Sequence, residues 1–215
     1  MKPPIRHIPA LWGALLLTLL LLHPAAGQAS DNMVIIIDGS NSMWAQMDQT
    51  HKIVAAREVL ADLIETLPDK MYLGIVAYGH RRKGDCNDVE VLVELGPDNR
   101  EQAVAAVEGL RPLGKTPLSL AVSSAADMLK GQNGRRMVLL VSDGEESCGQ
   151  DPCLAVKGLL DQGLGFVMHV VGLAVSQDAE KQLKCMAEAT GGEYISAGDA
   201  DTLRNSLINA LSKVR

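Results

Sequence analysis

The chain has 215 residues and is acidic, with 20 lysines and arginines against 26 aspartates and glutamates and a formal charge of −6. That balance argues against nucleic acid or any other polyanion as partner. Aromatic residues make up only 3 %, too few for base- or sugar-stacking platforms.

In chain order, Lys2 and Arg6 precede an apolar stretch, Ala10–Leu22, that is too short and too early for a membrane span. Small residues follow at Ala25-Ala26-Gly27 and Gly27-Gln28-Ala29, where a signal peptidase could cut. Residues 1–29 are therefore expected to be a secretory signal peptide, cleaved near 27–29, with a single domain over 30–215 and no membrane anchor afterwards. The product would be periplasmic or secreted. Without Lys2 and Arg6 it keeps 18 basic against 26 acidic residues.

Met33–Asp38 (MVIIID) is a continuous apolar run, the mark of a strand buried on both faces of a parallel sheet. Asp48 or Thr50 is placed to cap a helix whose apolar face is Ile53, Ala56, Leu60, Leu63, Ile64 and Leu67, ended by Pro68. Met71–Gly79 is a second strand, and the polar connector HRRKGDCND follows. Val89–Leu95 alternates, with Val89, Val91, Val93 and Leu95 on one side; the connector is too short for a crossover, so this strand should be an antiparallel edge. Asp98, with Glu101 three residues on, should open a helix along Ala103, Val104, Val107 and Leu110. Thr116-Pro117 opens another, and Met137–Asp143 is a strand. A helix from Asp151-Pro152 to Leu160, a strand over Phe166–Ala174, and a helix capped by Asp178 and ended by Gly191-Gly192 come next. EYIS is a last short strand, and Thr202–Val214 closes with a stripe at Leu203, Leu207, Leu211 and Val214. The fold class is α/β: a doubly wound, mostly parallel sheet with one antiparallel edge strand and helices on both faces. Such sheets bind ligands beyond the carboxyl ends of their strands, where the loops after Asp38 and Asp143 lie.

The four cysteines are Cys86, Cys148, Cys153 and Cys185, with no CxxC pair to suggest zinc. In an oxidising compartment they read as two disulfides. Cys86–Cys148 with Cys153–Cys185 is preferred, because the last two lie on successive helices; Cys148–Cys153 with Cys86–Cys185 is the rival.

Gly109–Thr116 (GLRPLGKT) fits the phosphate-loop pattern G-x-x-x-x-G-K-[ST], and VLLVSD follows at Val138–Asp143 like a second carboxylate motif. The context argues against a nucleotide. A phosphate loop must follow a strand, whereas DNREQAVAAVE is a helical pattern, and Pro112 removes an amide from the cradle. Helix end, turn and helix start explain the same residues.

Asp38, Ser40 and Ser42 (DGSNS) alternate directly after the first strand. As a turn sequence this is unremarkable. As a donor set it offers one carboxylate and two hydroxyls, hard oxygens suited to Mg²⁺, and Thr116 and Asp143 add the same ligand type from two other turns.

The ordered set D-x-S-x-S (Asp38, Ser40, Ser42), Thr116 in GKTP and Asp143 in VLLVSDG resembles the metal-ion-dependent adhesion site of von Willebrand factor type A domains, over nearly all of the mature chain. DGSNSMWAQ, GHRRKGDC and SDGEESCGQDPC resemble a subgroup of exported bacterial proteins with this domain. The resemblance implies a binding module rather than an enzyme. The serines and threonine would touch Mg²⁺ (or Mn²⁺) directly, with the aspartates acting through water or one of them exchanging with the threonine. It also implies a protein partner that supplies an aspartate or glutamate carboxylate to the open coordination position.

Around that site, Trp44 is either a partner anchor or packing under the first helix. Arg81 and Arg82 either steer an acidic partner or belong to a solvated loop. Glu145 and Glu146 are either tuning residues or surface, and His51 and His169 lack a metal constellation. Two alternatives belong to other functional classes. A metal-dependent phosphohydrolase would use Asp38 as nucleophile, but usually wants a second carboxylate where Ser40 stands. A nucleotide-binding protein would use GLRPLGKT.

Overall fold

A computed structural model describes residues 30–212. The expected signal peptide lies outside the described residues, as do Val214 and the side chain of Leu211. Among the described residues no helix is long and apolar enough to cross a membrane.

The strands are β1 (Asn32–Asp38), β2 (Gln46–Met47), β3 (Thr50–His51), β4 (Tyr72–Tyr78), β5 (Val89–Gly96), β6 (Arg136–Ser142), β7 (Val167–Leu173) and β8 (Tyr194–Ala197). The helices are α1 (Lys52–Thr66), α2 (Arg100–Gly109), α3 (Leu118–Leu129), α4 (Pro152–Asp161), α5 (Gln177–Ala189) and α6 (Ala200–Ser212). The main sheet runs β5-β4-β1-β6-β7-β8. All its pairings are parallel except β4 with the edge strand β5.

Every residue of β1 is buried. Its alternate side chains feed two cores, Met33, Ile35 and Ile37 toward α1, α2 and α6, and Val34 and Ile36 toward α3, α4 and α5. That two-sided burial is why the strand carries no polar alternation. The chain leaves β1 for β4 on one side and returns to β6 on the other, so β1 is the switch point of the sheet.

Three expected helix starts are corrected. Asp48 sits at φ 55° in the two-residue turn of the β2–β3 hairpin, a backbone region that favours Asn, Asp and Gly there. Thr50 lies in β3, so α1 opens at Lys52 with His51 at the capping position and no side-chain cap. Asp98 also lies at φ 55°, and Asn99 at the start of α2 directs its amide to the Leu73 and Glu94 carbonyls. Ser176, not Asp178, caps α5 by accepting from the Ala179 amide, while Asp178 pairs with Lys181. Asp151 does cap α4, accepting from the Leu154 amide at 3.0 Å.

The edge strand departs from simple alternation. The β4–β5 register shifts between Leu73 and Val76. Val93 consequently packs into the α1 side, while Val89, Val91 and Leu95 pack against the other. An extra residue in a pleated strand reverses the facing of those beyond it.

Candidate metal centre

At the carboxyl end of β1 the chain turns sharply over Asp38, Gly39 and Ser40. Asp38 is fully buried, and both its oxygens accept hydrogen bonds. Oδ1 takes the Ser40 amide at 2.7 Å, and Oδ2 takes the Ser142 hydroxyl at 2.7 Å and the Asp143 amide at 3.3 Å. The carboxylate therefore locks the loop after β1 to the loop after β6.

From that lock the oxygens spread outward. Ser40 Oγ and Ser42 Oγ are 2.8 Å apart, and Ser42 donates to Asp143 Oδ1 at 2.6 Å. An octahedral Mg²⁺ shell, with bonds of about 2.0–2.1 Å, has oxygen–oxygen edges of about 2.9 Å. The Ser40, Ser42 and Asp143 oxygens already stand near that spacing, so the donor set fits a small hard cation. Among the described residues no cluster of three His, Cys, Asp or Glu could form a charged cage. What is offered is hydroxyls backed by two carboxylates.

Thr116 arrives by a third loop. The β1 loop and the α2–α3 connector run side by side through a parallel bridge between Ser40 and Gly114, and the Asn41 amide donates to the Gly114 carbonyl at 3.1 Å. Ser147 clamps the Thr116 backbone, its hydroxyl accepting from the Thr116 amide at 2.8 Å and its amide donating to the Thr116 carbonyl at 3.1 Å. Glu146 accepts from the Ser119 amide in the first turn of α3 and from the Cys148 amide, so it caps α3 rather than standing free.

The same contacts decide the phosphate-loop question. The element before Gly109 is α2, not a strand. Leu113 N donates to the Gly39 and Gly79 carbonyls, and Gly114 N donates to the Gly79 carbonyl at 2.6 Å. Amides consumed in this way cannot cradle a phosphate. GLRPLGKT instead packs its backbone against the loops after β1 and β4. Gly39, Gly79 and Gly114 are spaced for it: a Cβ on Gly114 would meet the Arg82 carbonyl at 2.7 Å, and one on Gly79 the Lys115 carbonyl at 2.3 Å.

The sequence reading missed Lys52 and Tyr78. The Lys52 ammonium, almost fully buried, donates to Asp143 Oδ2 at 3.0 Å and to the Ala174 carbonyl at 3.2 Å. Burial, and then the neighbouring Asp38 charge, push the Asp143 carboxyl above its ordinary range, against the Ser42 and Lys52 bonds that favour its anion. Tyr78 is wholly buried and donates to Ser142, extending the Asp38 network inward; burial and the Asp38 charge raise its phenol well above the usual value. No periodicity marks these partners, which come from elements far apart in sequence.

The structure pairs Cys86 with Cys148 and Cys153 with Cys185. The first joins the loops after β4 and β6 at the carboxyl ends of β1 and β6, and the second joins α4 to α5. Trp44 is 42 % exposed, and its indole donates to the Pro112 carbonyl at 2.9 Å, with the His51 ring packed edge-on. Arg81 is drawn inward onto Asp88 and Glu90, and Arg82 onto Asp85. Asp88 is fully buried and also accepts the Arg81 and Arg82 amides, so this basic loop is internally braced. His169 lies in β7, in register with Leu139 at the middle of β6 rather than in the loops that carry the serines.

Among known proteins, the Bacillus subtilis protein YwmD is 29 % identical over 198 residues, covering 86 % of this chain and 88 % of its own. The pilus adhesin SpaC of Lactobacillus rhamnosus GG has the same fold, with a TM-score of 0.73 at 15 % identity over 87 % of this chain. Proximal thread matrix protein 1 of the mussel byssus, in a structure with a zinc-occupied metal-ion-dependent adhesion site, gives 0.66 at 16 % identity over 86 % of this chain. The chain spans only 31 % and 46 % of those two structures. The profile of the von Willebrand factor type A domain matches residues 33–146, and the chain belongs to that family.

Proposed function

We propose that this chain is an exported, metal-dependent protein-binding module. Asp38, Ser40, Ser42, Thr116 and Asp143 would hold Mg²⁺ or Mn²⁺. The bound cation would supply an electrophilic position for an aspartate or glutamate carboxylate of a protein partner. The observation that carries the reading is the run from Ser40 Oγ through Ser42 Oγ to Asp143 Oδ1, at 2.8 and 2.6 Å, anchored by a buried Asp38.

The division of labour follows from burial. Asp38 and Ser142 fix two loops; Ser42 is exposed and faces the partner side. Neutral hydroxyls leave most of a cation's charge uncompensated, which favours an anionic ligand. Two disulfides are in keeping with an oxidising compartment. The resemblance in fold to a pilus adhesin and to a protein with a zinc-occupied adhesion site supports the same reading. A phosphohydrolase nucleophile would need a free carboxylate oxygen, and those of Asp38 are buried and already bonded.

The test is calorimetric titration with Mg²⁺, Mn²⁺ and MgATP. Binding of the free cations should be lost in Asp38→Ala and Ser40→Ala and unchanged in Lys115→Ala. Nucleotide binding that depends on Lys115, or turnover that depends on Asp38, would overturn the proposal.

A further inference from the structure

Lys52 breaks two local rules. It is the first residue of α1, at the electropositive end of a helix whose first turn holds no acid. It is also buried, with its side chain 8 % exposed. Lysine is seldom buried without a partner. Its partners are Asp143 Oδ2 and the Ala174 carbonyl, and Ala174 adopts φ 45°, left-handed for a residue with a Cβ. A strained residue at the end of β7 thus turns its carbonyl toward the ammonium. Local cost in two places at one contact points to a role in the site.

The charges show what that role is. Asp38 and Asp143 bring two negative charges to the donor set, and Lys52 brings one positive charge in direct contact with Asp143. Asp143 divides its oxygens, Oδ1 to Ser42 and Oδ2 to Lys52. The metal-free site therefore carries one net negative charge and a held Asp143. A divalent cation leaves it one charge positive rather than neutral, and an incoming carboxylate restores neutrality. We infer that Lys52 is a built-in counter-cation: it keeps Asp143 in position without metal, weakens metal binding in the absence of an anionic ligand, and so makes tight metal uptake conditional on a carboxylate from the partner. This rests on the metal-dependent reading above.

The experiment compares wild type with Lys52→Met and Lys52→Gln, the second retaining a polar end should the first fail to fold. Mn²⁺ is titrated at fixed ionic strength, once in chloride and once with acetate as a carboxylate probe, and Tm is measured with and without Mn²⁺. In chloride the neutral variants should bind Mn²⁺ about tenfold or more tightly than wild type, as expected when a unit positive charge is removed from within a few ångströms of a divalent ion. Acetate should tighten Mn²⁺ binding to wild type and have less effect on the variants. Without metal the variants should melt below wild type, and Mn²⁺ should raise their Tm by the larger increment. Variants that bind Mn²⁺ equally or more weakly, while wild type binds it, would overturn the counter-cation role and leave the metal site standing. Absence of Mn²⁺ binding in all the proteins would overturn the metal reading itself.

Discussion

Ser42 Oγ donates to Asp143 Oδ1 at 2.6 Å across 101 residues of chain. The contact joins the loops after β1 and its parallel neighbour β6, so their separation is set by the sheet rather than by either loop. A site built this way is rigid before any ligand arrives. Because Ser42 is exposed, its loss removes a donor without opening a cavity. Ser42→Ala should weaken Mn²⁺ binding by at least about tenfold, as even residues that only support metal ligands do. Stability should change by only about 1 kcal/mol, the net value of one hydrogen bond. Calorimetry and a urea melt on the same protein separate the two.

The basic loop gives a pH signature. Burial holds His80 below its ordinary 6.5, although Asp88 and Glu90 pull the other way; Glu90 Oε2 is 3.1 Å from Nε2 but poorly aligned for a hydrogen bond. The native state therefore resists the proton that the unfolded state accepts. His80's contribution to stability is complete above 6.5 and is lost as pH falls from there toward its depressed native value. Asp88 acts lower. Burial alone would raise it, but the Arg81 and Arg82 amides and the Arg81 guanidinium outweigh burial and hold it below 3.8. Its contribution is present above 3.8 and is lost as pH falls through the lower native value. Urea midpoints across the pH range should show both steps. His80→Gln should flatten the upper one and diminish the lower only slightly, because the His80 charge is the smallest of the causes that hold Asp88 down.

The two disulfides should separate stability from binding. Their sequence separations of 62 and 32 imply, on the chain-entropy view, about 4 kcal/mol each. Cys148 adjoins Ser147 and Glu146, which hold Thr116 and the start of α3. Replacing Cys86 and Cys148 together by serine should therefore lower both Tm and Mn²⁺ affinity. Replacing Cys153 and Cys185, which tie only α4 to α5, should lower Tm and leave the affinity of the folded protein unchanged.

Most of the candidate oxygens could be grouped from the sequence because all but that of Thr116 follow strands whose apolar runs are unmistakable. Asp38 and Asp143 fall at strand ends, and a parallel sheet brings such ends to one edge. The misreadings share a cause. Asp48, Asp98 and Asp178 are good caps by residue type, but the first two occupy left-handed turns fixed by the hairpin and the β5–α2 corner, and Ser176 reaches the α5 amides first. Lys52 and Asp143 are 91 residues apart, and a lysine at a helix start carries no local signal of a buried partner. The reversal at Val93 depends on a register shift that alternation alone conceals.

Gly79 marks the point where three loops meet. It lies at φ 65°, a region that favours glycine, and its carbonyl accepts from both Leu113 and Gly114. A Cβ there would stand 2.3 Å from the Lys115 carbonyl and 3.1 Å from Ser40 Cα, both backbone atoms with no rotamer to yield. Gly79→Ala must therefore push the Gly114–Thr116 segment away from the β1 loop. Gly84 supplies the control: φ is 75°, yet nothing lies within 4 Å of its would-be Cβ. Gly84→Ala should cost only the conformational penalty of about 1 kcal/mol and leave metal binding intact. Gly79→Ala should cost several times that and reduce Mn²⁺ affinity even in the fraction that folds, because Thr116 moves with Lys115. Equal losses in the two variants would mean that the backbone angle alone matters and that the close packing of the three loops does not set the position of Thr116.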